Sequence, residues 1–284
     1  MTITYDHGSM GFIEAVVLGI VQGLTEFLPI SSSAHLRVVP ALFGWGDPGA
    51  AYSAVIQLGS VIAVLAYFAK DLIEIAVGFF KSMAAKDYTS KDVRLVAAIV
   101  LGTIPVCVLG LALKHVLEAD NSPLRSLMVV GVASIGMSVL LFLAEKVGRR
   151  QRDINQMGAM DGLLVGIGQA MALIPGCSRS GSTLTAALFL GLKREDAARF
   201  SFLLGIPAIV LSGLVELYGM RKHLADAGSI ADLAVGLIAA TVVSYAAIWW
   251  MLHFLRNHST AVFIIYRLIF GVGLIGLVSA GIIH

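Results

Sequence analysis

The chain has 284 residues, of which 58% are hydrophobic and only 13% charged, and its formal net charge is +2. A soluble domain of this length carries about a quarter charged residues, so composition excludes an ordinary water-surrounded fold. So small a net charge names no partner, and no nucleic-acid motif is present.

The first ten residues hold no Lys or Arg, and Glu14 interrupts the first apolar run, so no cleavable signal peptide is expected. That run, residues 11–30, is broken at Pro29 and followed by Ser31, Ser32, Ser33 and His35. It resumes over residues 36–43, too short to cross a bilayer alone. A half-helix, a polar break and a second half-helix predict a re-entrant hairpin. Such backbone is tolerated at membrane depth only inside protein or along a polar cavity. In the first arm Gln22 and Glu26 stand four residues apart and share a helix face. Glu26, ionisable in an apolar segment, suits a hard cation through its oxygens, with Gln22 adding a neutral carbonyl. The competing reading is an interfacial or helix-packing pair. The serines suit a helix N-cap and an anion held at the helix start. Ser32 could also act as a nucleophile, with His35 or Glu26 handling its proton. Capping alone, with His35 in a helix–helix hydrogen bond, is the alternative.

Residues 51–69, 94–113 and 124–144 follow as apolar runs near the ~20 residues that span hydrocarbon. Gln57 lies in the first of them, as a packing or a site-lining group. Lys70, Lys81, Lys86, Lys91 and Arg94 crowd the stretch 70–94, and Lys146, Arg149, Arg150 and Arg152 the stretch 146–152. The positive-inside rule places these, with Lys193, Arg194 and Arg199, in the cytoplasm.

A second broken segment then appears. Residues 163–174 run into Pro175, Gly176, Cys177, Ser178, Arg179, Ser180, Gly181, Ser182 and Thr183, and residues 184–192 resume the apolar character. Arg179 is the sharpest single residue. A guanidinium at membrane depth needs a partner, and phosphate oxygens match its two-pronged donors. Neighbouring serines and backbone N–H groups would complete an anion nest. The alternative is an ion pair with Glu26, which would still bring both breaks together. Residues 201–217, 231–254 and 262–283 complete six crossings, leaving both termini outside. Arg267, in the last run, is either a second phosphate-side cation or a side chain snorkelling to the cytoplasmic face.

The two breaks resemble each other: one offset of about half the chain pairs Pro29 with Pro175, Ser32 with Ser178 and Leu58-Gly59 with Leu204-Gly205. The expectation is an all-α polytopic membrane protein, with about six transmembrane helices plus two re-entrant helical hairpins in an inverted repeat. Residues 1–284 then form a single membrane domain, with a first repeat at about 11–145, a cytoplasmic connector at 146–156 and a second repeat at about 157–284. Inverted repeats with broken helices place a polar site near the midplane. Cys107 and Cys177 are read as small packing residues, and no P-loop, HExxH or CxxC is present.

Residues 22–35, Gln-Gly-Leu-Thr-Glu-Phe-Leu-Pro-Ile-Ser-Ser-Ser-Ala-His, resemble the first signature of the undecaprenyl-diphosphatase (bacitracin-resistance) family. That signature is an (E/Q)xxxE motif running into FLPxSSxxH. Residues 175–183 resemble its second, PGxSRSxxT, and 55–60, 200–204 and 265–267 are also similar, so the resemblance covers nearly the whole chain.

The resemblance implies an enzyme of the bacterial inner membrane that converts undecaprenyl diphosphate to the monophosphate, recycling the lipid carrier of peptidoglycan synthesis. It implies a divalent cation, Mg2+ or Ca2+, at Gln22 and Glu26, with Ser32 as nucleophile and His35 and Arg179 in proton transfer and phosphate binding. Many members carry Glu where this chain has Gln22, so cation binding rests more on Glu26. The expected catalytic set is Glu26, Ser32, His35 and Arg179, with Ser31, Ser33, Ser178, Ser180 and Thr183 around the phosphates. The site is expected to face the periplasm, with a prenyl diphosphate lipid as substrate and the bilayer as surroundings; a homo-oligomer is compatible with this. Direct attack by water fits equally well. A rival from another class is a lipid-phosphate or anion transporter or flippase, which would move its substrate without releasing phosphate.

Overall fold

The computed structural model describes residues 11–45, 49–113, 115–116, 124, 126–220 and 230–283. Its helices are α1 (Phe12–Phe27), α2 (Ser32–Phe43), α3 (Gly49–Tyr67), α4 (Ala69–Ala84), α5 (Lys91–Ala112) and α6 (Leu127–Val147). They continue with α7 (Ala159–Ala170), α8 (Arg179–Phe189), α9 (Arg194–Met220), α10 (Ile230–Asn257) and α11 (Ala261–Ser279). Apolar side chains such as Leu111, Ile238, Val242, Ile269 and Val272 point outward and are more than half exposed. On a soluble protein so much apolar surface would be a liability, whereas here it faces lipid. The fold is an all-α polytopic membrane protein.

Helices α5, α6, α10, α11 and the Arg194–Val215 part of α9 are long and apolar enough to cross a bilayer. Helix α3 reaches the same criterion jointly with α4, from which it is bent by 61°. The lysine-rich stretch after α3, read from sequence as a loop, is therefore largely helical. No residue of α4 is buried, and Asp71 in its first turn is ion-paired with Arg199 near the start of α9. The chain thus turns aside as it leaves the crossing.

The basic segments gather at one end of the bundle. Glu145, near the end of α6, binds Arg150 and Arg194 and accepts from Thr260, just before α11. Arg152 grips Asp161 in the first turn of α7, Arg256 near the end of α10 pairs with Glu195, and Arg94 donates to the Asn155 carbonyl. The second hairpin, α7–α8, starts and returns at this end. The first, α1–α2, connects to the opposite end, where α3 begins. The hairpins therefore enter the bundle from opposite sides.

Packing follows the same exchange. Helix α1 lies along α10, and α7 lies along α5, each hairpin arm against a crossing helix of the other half. Small residues make the approach close: a Cβ on Gly19 would strike the Gly236 carbonyl, and one on Gly166 would strike that of Gly102. Van der Waals contact between near-bare backbones replaces the hydrophobic drive that lipid does not supply.

Candidate functional site

The two breaks share one backbone signature. Ser31 (φ 78°) and Ser178 (φ 69°) both lie in the left-handed region, immediately before α2 and α8. For a residue with a Cβ this costs on the order of 1–3 kcal/mol, so the surroundings must hold it. Each serine contacts the serine two residues on: Ser31 Oγ lies 3.2 Å from Ser33 Oγ, and Ser178 Oγ 3.2 Å from Ser180 Oγ. The local geometry at Ser31 is thus that at Ser178, whereas the match on the prolines pairs Ser32 with Ser178. Counted from these two serines, Ser32 stands in its break where Arg179 stands in the other, Ser33 where Ser180 does and Pro29 where Gly176 does. The first place after the left-handed serine carries a hydroxyl in one break and a guanidinium in the other.

These two side chains meet on Glu26. Ser32 Oγ donates to Glu26 Oε2 at 2.6 Å, and Arg179 Nη2 donates to Glu26 Oε1 at 3.1 Å. The carboxylate is 8% exposed, and the opposite charge on Arg179 offsets the cost of burying it. The ion pair considered as an alternative for Arg179 is therefore present, and it joins the two breaks. Ser32 and Arg179 keep partial exposure and Ser33 is exposed, whereas Ser31, Ser178, Ser180 and Thr183 are buried.

The buried members are occupied by protein. Ser178 Oγ accepts from the Gly181 N–H, Ser180 Oγ donates to the Leu28 carbonyl across the two breaks, and Thr183 Oγ1 bonds the Arg179 carbonyl and the Ser201 hydroxyl. Of the residues expected around a phosphate, Ser33 is the accessible one. His35 is also engaged on both nitrogens. Nδ1 lies 2.7 Å from the Ser31 carbonyl, which only accepts, so Nδ1 carries a proton, and in the neutral ring Nε2 then accepts from Tyr266 OH at 2.6 Å. The ring stacks on Phe270. His35 thus braces the Ser31 backbone, and its recorded hydrogen bonds include neither Ser32 nor Glu26.

Gln22 sits behind the carboxylate. Its Nε2 is within reach of Glu26 Oε2 (3.2 Å), Gln57 Oε1 (2.9 Å) and Ser60 Oγ (3.3 Å), more acceptors than two N–H groups can serve well. Its Oε1, fully buried, has no hydrogen-bond partner. Half a turn of the amide would aim that oxygen at Glu26 and Gln57, an arrangement that only a cation between them would favour. Carboxylate, carboxamide and hydroxyl oxygens from Glu26, Gln22, Gln57 and Ser32 are the donors a hard divalent ion takes, so the residues fit one. Among the described residues no cluster of three His, Cys, Asp or Glu exists, and Glu26 is the carboxylate of this donor set.

Arg267 is neither a phosphate-side cation nor a snorkelling side chain. It is 1% exposed, and its guanidinium donates to backbone carbonyls of both breaks. Sequence reasoning also left out Ser60, Ser244, Tyr266 and Ser201 as site or supporting groups. Ser60 and Ser244 bond each other at 2.9 Å, and small hydroxyls in apolar helices read the same whether they pack or line a site. Tyr266 carried a signal only as a neighbour of Arg267 in the segment 265–267.

The model of the bacitracin resistance protein BacA family matches residues 15–273. The undecaprenyl-diphosphatase of Gloeobacter violaceus is 58% identical over 277 residues, covering 96% of this chain and 94% of the relative. That of Trichormus variabilis is 56% identical over 277 residues, 97% of this chain and 86% of its own. That of Synechococcus elongatus is 51% identical over 269 residues, 94% and 93%. With the match running through both breaks and nearly the full length, the chain belongs to the bacitracin resistance protein BacA family.

Proposed function

We propose that this chain is an integral membrane phosphatase that hydrolyses undecaprenyl diphosphate to undecaprenyl phosphate and inorganic phosphate. The reaction recycles the lipid carrier for peptidoglycan synthesis and confers bacitracin resistance. The observation that carries the reading is the junction of Ser32, Glu26 and Arg179, one group from each break on a single buried carboxylate. Sequence identity above one half to proteins named for this activity supports it.

In the proposed mechanism the diphosphate enters where the breaks meet and displaces part of the Arg179–Glu26 contact. The guanidinium then binds phosphate oxygens, and Ser33 supplies a further donor. Ser32 Oγ attacks the terminal phosphorus in line while Glu26 takes its proton. The bridging P–O bond breaks and the prenyl monophosphate leaves. Water attacks the phosphoserine and releases phosphate. A divalent cation held by Glu26 and Gln22, with Gln57 beside them, would supply charge neutralisation. Positioning and electrostatics are the main work of phosphoryl transfer, so an immobile frame matters more than acid–base power. His35 acts here by fixing Ser31, and Ser31, Ser178, Ser180 and Thr183 hold the cradle together.

The wider setting is part of the same proposal. The duplicated units are about 11–145 and 157–284, inverted, with the connector 146–156 cytoplasmic. The protein sits in the bacterial inner membrane with its site open to the periplasm. The basic residues gathered at one end support this orientation.

The test is phosphate release from a prenyl diphosphate by purified protein, with and without chelator, beside Arg179→Ala. Release lost in a folded Arg179→Ala is expected. A folded wild type that moves the lipid but releases no phosphate would overturn the reading in favour of transport.

A further inference from the structure

Arg267 lies in α11, away from both breaks in sequence, yet its guanidinium reaches each of them. Nη1 donates to the Pro29 carbonyl at 2.8 Å, and Nη2 to the Gly176 carbonyl at 2.8 Å and the Cys177 carbonyl at 3.2 Å. Nε donates to the Ser134 carbonyl of α6 at 3.3 Å. Pro29 and Gly176 are the equivalent positions of the two breaks in the register set by Ser31 and Ser178. One planar cation therefore bridges matching carbonyls on either side of the junction. The space is full, since a Cβ on Gly181 would lie 3.0 Å from Nη1.

We propose that Arg267 is a positioning residue: a buried staple that fixes the first break against the second, and so sets Ser32 and Arg179 across Glu26. Three features single it out. A guanidinium at 1% exposure is costly to bury, and its four hydrogen bonds all go to carbonyls, three of them in the two polar breaks and one, Ser134, in α6. The fork is rigid and planar, so it fixes the separation of the two carbonyls it joins, which a lysine ammonium would not. The residues it holds lie two or three positions before Ser32 and Arg179, so any loosening passes directly to the reacting groups.

The staple acts through Ser32 and Arg179, and its kinetic consequence rests on the phosphatase reading. Its geometric consequence does not. Cys177 is 5% exposed and its own carbonyl is one of the stapled groups, so its thiol reports whether the second break has moved.

The experiment uses Arg267→Lys and Arg267→Gln in the full chain, with Cys107 replaced by Ser so that Cys177 is the one thiol. Folding is checked by thermal unfolding and gel filtration in detergent. The readouts are kcat and KM for phosphate release, and the rate of Cys177 labelling by a small maleimide. For the folded variants kcat is expected to fall about 100-fold with KM within ~3-fold, as for a misplacement of roughly 1 Å, and Cys177 labelling to quicken about tenfold or more. In an Arg179→Lys background, which keeps a cation and a measurable residual release, the loss from Arg267→Lys should shrink to under ~3-fold, because residues acting through one another are not additive. A merely structural arginine would give additive losses. Folded variants with wild-type kcat and a protected Cys177 overturn the staple. Failure of both variants to fold makes Arg267 a folding anchor and overturns it too. A wild type without phosphate release, together with a Cys177 exposed in the variants, sinks the phosphatase reading and leaves the staple standing.

Discussion

Ser32 Oγ lies 2.6 Å from Glu26 Oε2, a hydroxyl of one hairpin arm held by a carboxylate of the other. A hydrogen bond to an ionised acceptor at this distance both aims the oxygen and offers a destination for its proton. Glu26→Gln should therefore lower kcat by about 10²–10⁴, the usual worth of a positioned general base. Rapid acid quench followed by mass spectrometry should find phosphate on Ser32 in the wild type. Phosphate release unchanged in Ser32→Ala would rule out the serine as nucleophile and leave attack by water.

Gly205 on α9 lies beneath Arg179, where a Cβ would overlap the guanidinium nitrogen. By helix propensity alone Gly205→Ala gains up to about 1 kcal/mol. The obstructing atom ends a long side chain, but that guanidinium is held on buried Glu26, so moving it aside loosens the ion pair and offsets the gain. The expected outcome is a melting temperature at or below the wild type, with kcat/KM at least about tenfold lower, as for a displaced phosphate clamp. Parallel calorimetry and phosphate-release assays check it.

Thr183 was expected from sequence to touch phosphate, but its hydroxyl is spent on the Arg179 carbonyl and Ser201. Thr183→Val should cost about 1–3 kcal/mol by leaving buried partners unsatisfied, while KM stays within about threefold. A large rise in KM at unchanged stability would return Thr183 to the phosphate.

Gln22→Glu adds a second carboxylate beside Glu26, where the present side chain has an oxygen without a partner. Divalent cation binding should tighten about tenfold or more, since hard-ion affinity is tuned by the number of ligand charges. Titration calorimetry with Mg2+ and Ca2+ reads this without turnover. Equal affinity in both proteins would remove Gln22 from the cation site.

Gly166 packs against the backbone of Gly102 where α7 meets α5. Backbone cannot yield as a long side chain can, so Gly166→Val should cost on the order of 1–3 kcal/mol or more by overpacking. A lowered melting temperature and reduced yield of folded protein are expected. The mirrored contact of Gly19 with Gly236 predicts the same for Gly19→Val.

By itself the sequence determined that the chain is helical and membrane-embedded, where its crossings run, and which two segments break. These are local properties. Lipid leaves the backbone no partner but its own helix, and Pro29, Pro175 and the serine runs interrupt that helix wherever they fall. Glu26 and Arg179 were legible for the same reason, as charges that an apolar segment must justify. The tertiary structure decided what those residues touch. Two left-handed serines, invisible in a one-dimensional alignment, put Ser32 and Arg179 at the same place in their breaks, each directly after one of them. Thr183, expected at the phosphates, and His35, expected in proton transfer or a helix–helix hydrogen bond, act as braces because Ser201 and Tyr266 arrive from other helices. Arg267 was placed by carbonyls of Pro29, Gly176 and Ser134, groups every residue possesses and no sequence pattern marks. Hydropathy is written along the chain, whereas hydrogen-bond partners drawn from separate helices exist only once those helices have packed.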